Sequence, residues 1–343
     1  MTASPTSQPR QRVLVTVPFL PPRHPALEPF AAAGIEVVHG TSRQTTEAEW
    51  SALVASVDGA IVGGDPFSAR VLQAAPRLRA IARGGVGYDA IDVPAATANG
   101  VAVCIHAGLN QRSVAELALT LILSVLRRLP ENLHDYAGAG WKRLDGRELT
   151  GATVGIVGLG RIGKRLIQLL APFEVTVLAH DAYPDTDFAQ SHGVTYVDAA
   201  ELLRRSDIVS LHMPLTPETS RWLNAERLSL MKPSAYVVNT ARGEVVDQDA
   251  LVAALAARTI TGAALDVAIG EPLPVDHPLR SFHNVMLTPH IGGATAQARA
   301  LGGTSAVRNI LAILTGGTTP DIINPDYARH SRWAVTAEPE ISL

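Results

Sequence analysis

The chain has 343 residues, of which 47% are hydrophobic and 18% are charged, so it is long enough for two domains with apolar cores and too hydrophobic to be largely disordered. Its formal net charge of -3 provides no excess of positive charge for binding nucleic acid. The single cysteine, Cys104, excludes an internal disulfide and favours a reducing, cytoplasmic location.

Neither a secretory signal nor a membrane span is expected. Residues 1–10, MTASPTSQPR, lack the apolar stretch of a signal peptide and are predicted to form a flexible tail. The longest apolar run, LALTLILSVL at 117–126, is much shorter than the roughly 20 residues that cross a bilayer. We predict a buried helix at 117–126 and no contact with a membrane.

The first third of the chain alternates short apolar runs with helical segments such as EAEWSALVAS (47–56). The predicted strands are VLVTV (13–17), IEVVHG (35–40), GAIVGG (59–64), LRAIARG (78–84) and VAVCI (101–105). Alternation of this kind predicts a parallel sheet with helices on its faces.

A long helical pattern follows and begins near Ser113, where SVAE (113–116) matches a capping box. The helix is expected to run to about Arg128, with Pro130 marking its end. The glycine-rich segment 135–149 is predicted to be irregular.

A second series of alternating strands and helices occupies the rest of the chain. Its predicted strands are TVGIVG (153–158), VTVLAHD (175–181), IVSLHM (208–213), AYVVNT (235–240), GAALDV (262–267) and NVMLTPH (284–290). A last helix at about 295–315 is expected to return to the first domain. That domain would then be discontinuous.

The motif GLGRIG (158–163) follows the strand TVGIV and opens a helix, which is the context that distinguishes a dinucleotide site from a chance match. Gly158 permits a tight turn, Gly160 lets a pyrophosphate approach the backbone, and Gly163 allows close packing of helix and strand. The N-terminus of the helix adds free N–H groups for the phosphates. We therefore predict a Rossmann nucleotide domain.

Asp181 ends the next predicted strand, where a carboxylate would accept hydrogen bonds from the adenosine ribose hydroxyls. The same carboxylate would repel a 2′-phosphate, and the twenty residues that follow contain no arginine. The sequence thus favours NAD over NADP, and no metal is expected.

Three later residues have the side chains that reduction of a 2-oxo acid requires: Arg242, Glu271 and His290. An imidazole, with an ordinary pKa of about 6.5, can donate a proton near neutral pH, and a neighbouring carboxylate raises that pKa. An arginine offers a planar fork that binds a carboxylate and a carbonyl oxygen together. This set indicates hydride transfer at C2 of a 2-oxo acid.

Long motifs in the expected order resemble the D-2-hydroxyacid dehydrogenase family over most of residues 50–325. They are RGGVGYDAID (83–92), RSVAEL (112–117), MKPSAYVVNTARGEVVDQDAL (231–251), GAALDVAIGEPLP (262–274) and NVMLTPHIGGAT (284–295). The resemblance implies an NAD-dependent oxidoreductase that interconverts a D-2-hydroxy acid and its 2-oxo acid.

The predicted fold is α/β, with two doubly wound parallel-sheet domains. The NAD-binding Rossmann domain (111–295) is inserted into a flavodoxin-like substrate domain formed by 11–110 and 296–330. Residues 1–10 and 331–343 are expected to be tails.

The resemblance also implies roles for individual residues: His290 as the acid/base, Glu271 as its partner, and Arg242 as the group that holds the substrate's carboxylate and carbonyl. The substrate-binding residues that it implies are Gly64, Val86, Gly87, Arg242 and His290. The implied cofactor-binding residues are Val86, Gly158, Gly160, Arg161, Ile162, Gly163, Asp181, Met213, Pro214, Thr240, Ala241, Arg242, Asp266, His290, Gly292 and Gly293.

Within the family, the motifs RSVAEL, Gly140–Trp141 and NTARG most resemble 3-phosphoglycerate dehydrogenases. Members that act on the phosphorylated acid carry an arginine just after the strand that corresponds to 59–62. This chain has Gly63 and Gly64 there, followed by Asp65, so a phosphate would lose its fork and meet a negative charge. We expect a small unphosphorylated acid such as glyoxylate or hydroxypyruvate, with phosphoglycerate oxidation as the alternative.

A function of another class stays open, because the family also includes NAD-sensing corepressors, which would need an apolar groove for a peptide in the first domain. His106 lies where the family usually has an Asn-Thr-Pro-Gly run, and is either a structural substitution or a second polar contact to substrate. Trp141 lies in the segment that members use as a dimer arm. We expect a homodimer through the nucleotide domain, with 117–129 contributing apolar surface.

Overall fold

The computed structural model describes residues 10–42 and 45–333. The predicted tails fall largely on residues 1–9 and 334–343, which lie outside the described residues. The chain divides into two compact units. The split unit comprises the chain up to Leu109 together with the chain from Ala296 onward, and the continuous unit comprises Asn110–Thr295.

The strands, in chain order, are short and mostly buried. They are β1 Arg12–Val15, β2 Glu36–His39, β3 Gly59–Val62, β4 Ala80–Arg83, β5 Ala102–Cys104, β6 Thr153–Val157, β7 Thr176–His180, β8 Val194–Tyr196, β9 Ile208–Leu211, β10 Tyr236–Asn239, β11 Gly262–Leu265 and β12 Val285–Leu287.

The α-helices alternate with these strands. They are α1 Glu28–Ala32, α2 Glu47–Ala55, α3 Ala69–Gln73, α4 Val93–Ala98, α5 Gln111–Leu126, α6 Leu129–Ala137, α7 Arg161–Leu170, α8 Thr186–His192, α9 Ala199–Arg205, α10 Ala225–Ser229, α11 Gln248–Ala256 and α12 Ala296–Leu314. Short 3₁₀ turns lie at Pro25–Leu27, Ala171–Phe173, Gly243–Val245, Pro278–Arg280, Pro325–Arg329 and Ser331–Trp333.

The split unit is built on a five-stranded parallel sheet in the order β2-β1-β3-β4-β5. This is the flavodoxin-like order, so the predicted fold of this part of the chain is confirmed. One face of the sheet packs on α1 and α12, with Phe30 and Ile310 in its core. The other face packs on α2, α3 and α4, with Trp50 and Leu72 in its core.

Cys104, the last residue of β5, is fully buried in the split unit. Burial, together with the nearby negative charge of Asp321, raises the pKa of its thiol to about 12. The thiol is therefore protonated and shielded from solvent.

The continuous unit is built on a seven-stranded parallel sheet in the order β12-β11-β10-β9-β6-β7-β8. Reading outward from β6, the order is that of a Rossmann fold with one additional strand, β12. One face packs on α5 and α7, and the other packs on α9, α10 and α11. The apolar run 117–126 lies within α5, where Leu121 and Ile122 are fully buried, as predicted.

Two local predictions were wrong, and one strand was not predicted. The helix α5 begins at Gln111 rather than Ser113, and the Ser113 hydroxyl bonds the Thr295 hydroxyl at 2.8 Å instead of capping the helix. Pro130 does not end the helical region, because it lies in the first turn of α6, where its missing N–H has no cost. The edge strand β8 is only three residues long and was not predicted.

Among the helices of residues 10–42 and 45–333, none has both the length and the apolar character that a bilayer crossing requires.

Candidate active site

The glycine loop joins β6 to α7 beside the end of β9. Gly158 has a φ of +93°, and a Cβ there would lie 2.6 Å from the backbone nitrogen of Met213, so no other residue fits. A Cβ on Gly163 would lie 2.5 Å from the carbonyl oxygen of Gly158. At Gly160 the space is open in front of the N-terminus of α7, which has no side-chain cap. The uncapped N–H groups are therefore available to an anion.

Asp181 lies directly beside this loop. Its carboxylate accepts a hydrogen bond from the Leu159 backbone N–H through one oxygen and from the Tyr183 N–H at 2.7 Å through the other. Each carboxylate oxygen keeps a further lone pair. Asp181 is thus held against the glycine motif with acceptor capacity to spare, as a ribose-binding residue requires.

The end of β9 contributes a histidine that the sequence analysis missed. His212 is bonded through Nε2 to the Ser210 hydroxyl at 2.8 Å, and burial lowers its pKa to about 4, so the ring is neutral. The next residues, Met213 and Pro214, follow the strand beside Gly158. The available signal was a polar residue at the carboxyl end of a buried strand, next to the point where strand order reverses.

Arg242 is positioned by a buried asparagine at the end of β10. Asn239 is 1% exposed; its side-chain oxygen accepts a hydrogen bond from the Ala241 N–H at 2.9 Å, and its amide donates to the Arg242 carbonyl at 2.8 Å. The Arg242 guanidinium donates to the Ala241 carbonyl at 2.6 Å. Asn239 therefore fixes the Thr240–Arg242 turn, a role that the sequence analysis did not assign.

His290 and Glu271 form a direct pair, with 2.7 Å between the imidazole Nδ1 and the carboxylate Oε2. The other Glu271 oxygen accepts a hydrogen bond from the Ala268 N–H at 3.1 Å. The two side chains are 49% and 39% exposed, so both are within reach of a small ligand. The structure brings together the acid/base and the partner that the resemblance implied.

The contact between His290 and Glu271 shifts their two pKa values in opposite directions. The hydrogen bond from His290 to Glu271 raises the pKa of His290, and this outweighs the opposing effects of partial burial and of the Arg242 charge. For Glu271, partial burial acts to raise the pKa, but the hydrogen bond and charge of His290, with help from Ala268 and Arg242, bring it below its ordinary value. Near neutral pH the carboxylate is charged and favours the imidazolium.

Asp266 determines the backbone conformation that presents His290. Its carboxylate, 2% exposed, accepts hydrogen bonds from the Thr288 hydroxyl at 2.6 Å, the Ile291 N–H at 2.8 Å and the Gly292 N–H at 2.8 Å. His290 itself has a left-handed φ of 54°, and its N–H donates to the Asp266 carbonyl at 2.9 Å. Much of the acceptor capacity of Asp266 is thus used by the 288–292 turn.

Gly292 and Gly293 lie in this turn, close to other residues of the continuous unit. A Cβ on Gly292 would lie 3.1 Å from an Asp266 carboxylate oxygen, and one on Gly293 would lie 3.2 Å from the Asn110 amide nitrogen. Both positions are therefore tight, and neither glycine has a side chain that could obstruct a ligand.

The residues predicted to bind substrate through the split unit lie in loops at the carboxyl ends of β3 and β4. Gly64 follows β3, and a Cβ there would meet no atom within 4 Å. Val86 and Gly87 follow β4, and the Gly87 carbonyl accepts a hydrogen bond from the Arg83 side chain at 2.5 Å. The Arg83 contact fixes the end of the loop.

Asp65 does not have the outward-facing negative charge that we expected. It is 7% exposed and accepts hydrogen bonds from Thr16 Oγ1 (2.5 Å), from the Ser42 N–H (3.2 Å) and hydroxyl (2.6 Å), and from the Gly63 N–H (2.9 Å). The carboxylate is turned into the unit, where it joins the ends of β1, β2 and β3. These hydrogen bonds, and not the ligand side of the loop, use the carboxylate oxygens of Asp65.

His106 is also buried, at 3% exposed, and neither ring nitrogen has a hydrogen-bond partner among the described residues. Burial lowers the pKa of His106, although the charge of Asp321 opposes the shift. The ring is thus an interior group.

The residues at the carboxyl edge of the continuous unit fit a dinucleotide. The open space in front of α7 and the spare acceptors of Asp181 match a pyrophosphate and a ribose. The Thr240 hydroxyl is buried without a hydrogen-bond partner among the described residues, and a ligand could supply one. Residues 10–42 and 45–333 contain no group of three or more His, Cys, Asp or Glu side chains that could hold a metal.

Comparison with known proteins gives consistent matches. The family model for the NAD-binding domain of D-isomer specific 2-hydroxyacid dehydrogenases matches residues 119–292. A glyoxylate reductase of Thermofilum pendens is 44% identical over 272 residues, which are 77% of this chain and 80% of that protein. A D-3-phosphoglycerate dehydrogenase of Mycobacterium tuberculosis is 41% identical over 258 residues, which are 75% of this chain but 49% of that protein.

A solved structure supports the fold over nearly the whole chain. The crystal structure of the TT0316 protein from Thermus thermophilus superposes with a TM-score of 0.83 at 38% identity, covering 91% of this chain and 100% of that one.

We expect Gly158→Ala to weaken NADH binding about tenfold or more. The methyl group would overlap the backbone of Met213, so the loop that faces the pyrophosphate would have to move, and a loss of about 1.4 kcal/mol of binding free energy corresponds to this factor. NADH fluorescence titration measures the effect. The control is Gly193→Ala, which has a φ of +66° and no atom within 4 Å of its Cβ, and should bind NADH normally. Equal affinities for both variants would contradict the assigned loop.

Proposed function

The chain belongs to the D-isomer specific 2-hydroxyacid dehydrogenase family, and we propose that its substrate within that family is a small, unphosphorylated 2-oxo acid. The protein is an NAD-dependent oxidoreductase that acts on CH–OH donors. Glyoxylate and hydroxypyruvate are the acids that we propose. The observation that carries this choice is Gly63–Gly64 at the end of β3: neither residue has a side chain that could hold a phosphate as an arginine would, and a Cβ on Gly64 would meet no atom within 4 Å.

Two relatives favour different substrates. The match to a glyoxylate reductase supports the small acid, whereas the match to a phosphoglycerate dehydrogenase supports the phosphorylated one. Because Asp65 is buried and hydrogen-bonded within its unit, our preference depends on the missing guanidinium and not on an exposed negative charge. Phosphoglycerate oxidation is the second candidate.

In the proposed mechanism, Arg242 binds the substrate's carboxylate and carbonyl oxygen, and so polarises the carbonyl and stabilises charge that develops on its oxygen. Bound NADH supplies the hydride that reduces C2. The imidazolium of His290 donates its proton to the carbonyl oxygen, and Glu271 stabilises the charged ring before transfer. In the reverse direction, neutral His290 accepts the proton of the hydroxyl group.

We propose that the cofactor is held mainly by the continuous unit. The uncapped N-terminus of α7, including the backbone of Arg161 and Ile162, would bind the pyrophosphate, and Asp181 would bind the ribose. The other proposed contacts are Val86, Gly158, Gly160, Gly163, Met213, Pro214, Thr240, Ala241, Arg242, Asp266, His290, Gly292 and Gly293. The proposed substrate contacts of the split unit are Gly64, Val86 and Gly87.

We also propose domain roles and a location. We propose that the continuous unit, Asn110–Thr295, is the NAD-binding domain and that the split unit is the substrate domain.

The proposed location is the cytoplasm, and the buried, reduced Cys104 is consistent with it. Fractionation of cells that express the native protein would test the location.

We expect kcat/KM for reduction to be highest at low pH and to fall as pH rises through the raised pKa of His290, because the proton donor is then lost. Oxidation should show the opposite dependence. Replacing His290 by Ala should lower kcat for reduction by roughly 10²–10⁴-fold. Steady-state rates between pH 5 and 10 measure both effects.

Glu271→Gln is the matched control, because it keeps the shape of the side chain and removes its charge. The fall in kcat/KM should move to lower pH in this variant, while NADH binding should be retained by both variants. A His290→Ala enzyme with full activity and an unchanged pH profile would disprove the assigned acid/base.

We expect glyoxylate or hydroxypyruvate to be reduced with a kcat/KM about 30-fold or more above that for phosphohydroxypyruvate. A phosphate that lacks a guanidinium partner loses about 2 kcal/mol of charge-assisted hydrogen bonding. NADH oxidation with a panel of 2-oxo acids measures the preference. Gly63→Arg, whose Cβ has ordinary space, should shift it toward the phosphorylated acid.

The reverse preference in the unmodified enzyme would favour phosphoglycerate oxidation. If the protein bound NADH but reduced none of the acids, the result would contradict the proposed substrate and favour an NAD-sensing binding protein.

We propose a homodimer through the continuous unit, as the resemblance implied. Exposed apolar side chains of α6 and the following segment line a groove of about 450 Å³: Leu133 is 61% exposed, Tyr136 66% and Trp141 76%. An exposed apolar cluster of this kind is typical of an interface. Burial limits the apolar surface that 117–129 can contribute to this interface, because Leu121 and Ile122 face the core. Leu129, by contrast, is exposed.

We expect Trp141→Ser to raise the dimer dissociation constant by about 30-fold or more, because a central tryptophan contributes about 2 kcal/mol or more to an interface. Sedimentation velocity over a range of protein concentrations measures the change. Tyr183→Ser is the control, since Tyr183 is 89% exposed but lies away from α6 in sequence and should leave assembly unchanged. A monomeric unmodified protein at micromolar concentration would contradict the proposal.

A further inference from the structure

We propose that Gln248 is a positioning residue for the catalytic pair: it anchors the Ala268–Glu271 loop and thereby sets the orientation of Glu271 toward His290. The inference rests on the proposed acid–base role of that pair. It concerns a residue to which neither the family resemblance nor the sequence motifs gave a role.

Gln248 is the first residue of α11, which is capped by Asp247 through a 3.0 Å hydrogen bond from the Ala250 N–H. From this rigid position its side-chain oxygen accepts a hydrogen bond from the Ile269 N–H at 2.9 Å. Its amide nitrogen lies 3.1 Å from Nε2 of His277. The half-buried amide thus connects α11 to the loop that carries Glu271.

The Ile269 contact sets the orientation of the Gln248 amide, and His277 has a competing partner in the Leu279 N–H. The Ile269 N–H is a donor, so the Gln248 oxygen must face it, and the NH₂ group then faces His277. A ring with its proton on Nδ1 accepts that hydrogen bond through Nε2, but Nδ1 then cannot accept the 3.2 Å hydrogen bond from the Leu279 N–H, so the two contacts of His277 compete. A ring with its proton on Nε2 would oppose two donors and favour a flipped amide, which would lose the contact to Ile269.

The loop depends strongly on this anchor, because it has few others. Among the hydrogen bonds of the described residues, the backbone of Ala268–Glu271 takes part in two: the Ala268 N–H to Glu271 and the Ile269 N–H to Gln248. Ile269 and Gly270 are exposed, so they contribute little packing. Close backbone packing of Gly243 against Ala268 supports the start of the loop.

Loss of the anchor should therefore propagate to the catalytic pair. The Ala268 N–H orients one oxygen of Glu271 at 3.1 Å, and the other oxygen bonds His290 at 2.7 Å. A loop that moves at Ile269 loosens the first contact and then the second. His290 would be less strongly held in its charged form, so its titration should shift to lower pH.

The test replaces Gln248 by Leu, which has a similar size and no charge but cannot accept a hydrogen bond. We expect the NMR titration of His290 in the full-length, ligand-free protein to shift downward, in the same direction as in Glu271→Gln but by less. We also expect kcat/KM for reduction to fall about tenfold, with its pH dependence shifted equally and NADH affinity unchanged.

Gln248→Glu is the conservative variant, because a carboxylate still accepts from the Ile269 N–H. Its negative charge acts to raise the pKa of His290, opposite to the effect of losing the anchor, so the two causes are separable. We expect this variant to keep the rate of the unmodified protein and to titrate at His290 at the same pH or higher. Gln168→Leu, which removes an exposed contact to Arg165 on α7, should change neither.

An unchanged His290 titration in Gln248→Leu, or a Gln248→Glu variant that behaves like Gln248→Leu, would overturn the positioning role and leave the catalytic pair intact. If Glu271→Gln itself failed to move the His290 titration, the acid–base pair would be wrong, and the role of Gln248 with it. These outcomes separate failure of the anchor from failure of the proposed mechanism.

Discussion

The hydrogen bonds that the buried Asp266 carboxylate accepts from the 288–292 turn are the interaction on which the site depends. A left-handed backbone at a non-glycine residue costs about 1 kcal/mol or more, and His290 adopts one. Three charge-assisted hydrogen bonds and the contact to the Asp266 carbonyl offset this strain. Without them the turn would relax and the imidazole would no longer face Glu271.

The parallel sheet makes this arrangement available. The strands β10, β11 and β12 are neighbours in that order, so their carboxyl ends lie side by side. Arg242 follows the first of these strands, Asp266 and Glu271 the second, and His290 the third. Residues that are up to 48 positions apart in the sequence are therefore brought to one edge by strand order alone.

Sequence patterns predicted the parts of the molecule that depend on local periodicity and on long motifs. Strand–helix alternation predicted both sheets, and the motifs led to the prediction of His290, Glu271 and Arg242, of which the first two are in contact in the structure. Those patterns did not predict side-chain direction. Nothing in the sequence distinguishes an outward-facing Asp65 from one whose carboxylate accepts hydrogen bonds from the ends of three strands. The sequence likewise gives no sign that the Asn239 side chain turns back to bond the Thr240–Arg242 turn. Pro130 was ambiguous because prolines occur both just after a helix and in the first turn of one.

The burial of Cys104 has a practical consequence for the chemistry of this protein. Oxidants and alkylating reagents attack the thiolate, and a buried thiol with a pKa of about 12 supplies almost none of it. Because the sequence contains no other cysteine, such reagents would find no reactive thiol in the native protein. A cysteine introduced at an exposed position would become the one site for attaching a fluorophore or spin label, with no need to remove the natural residue.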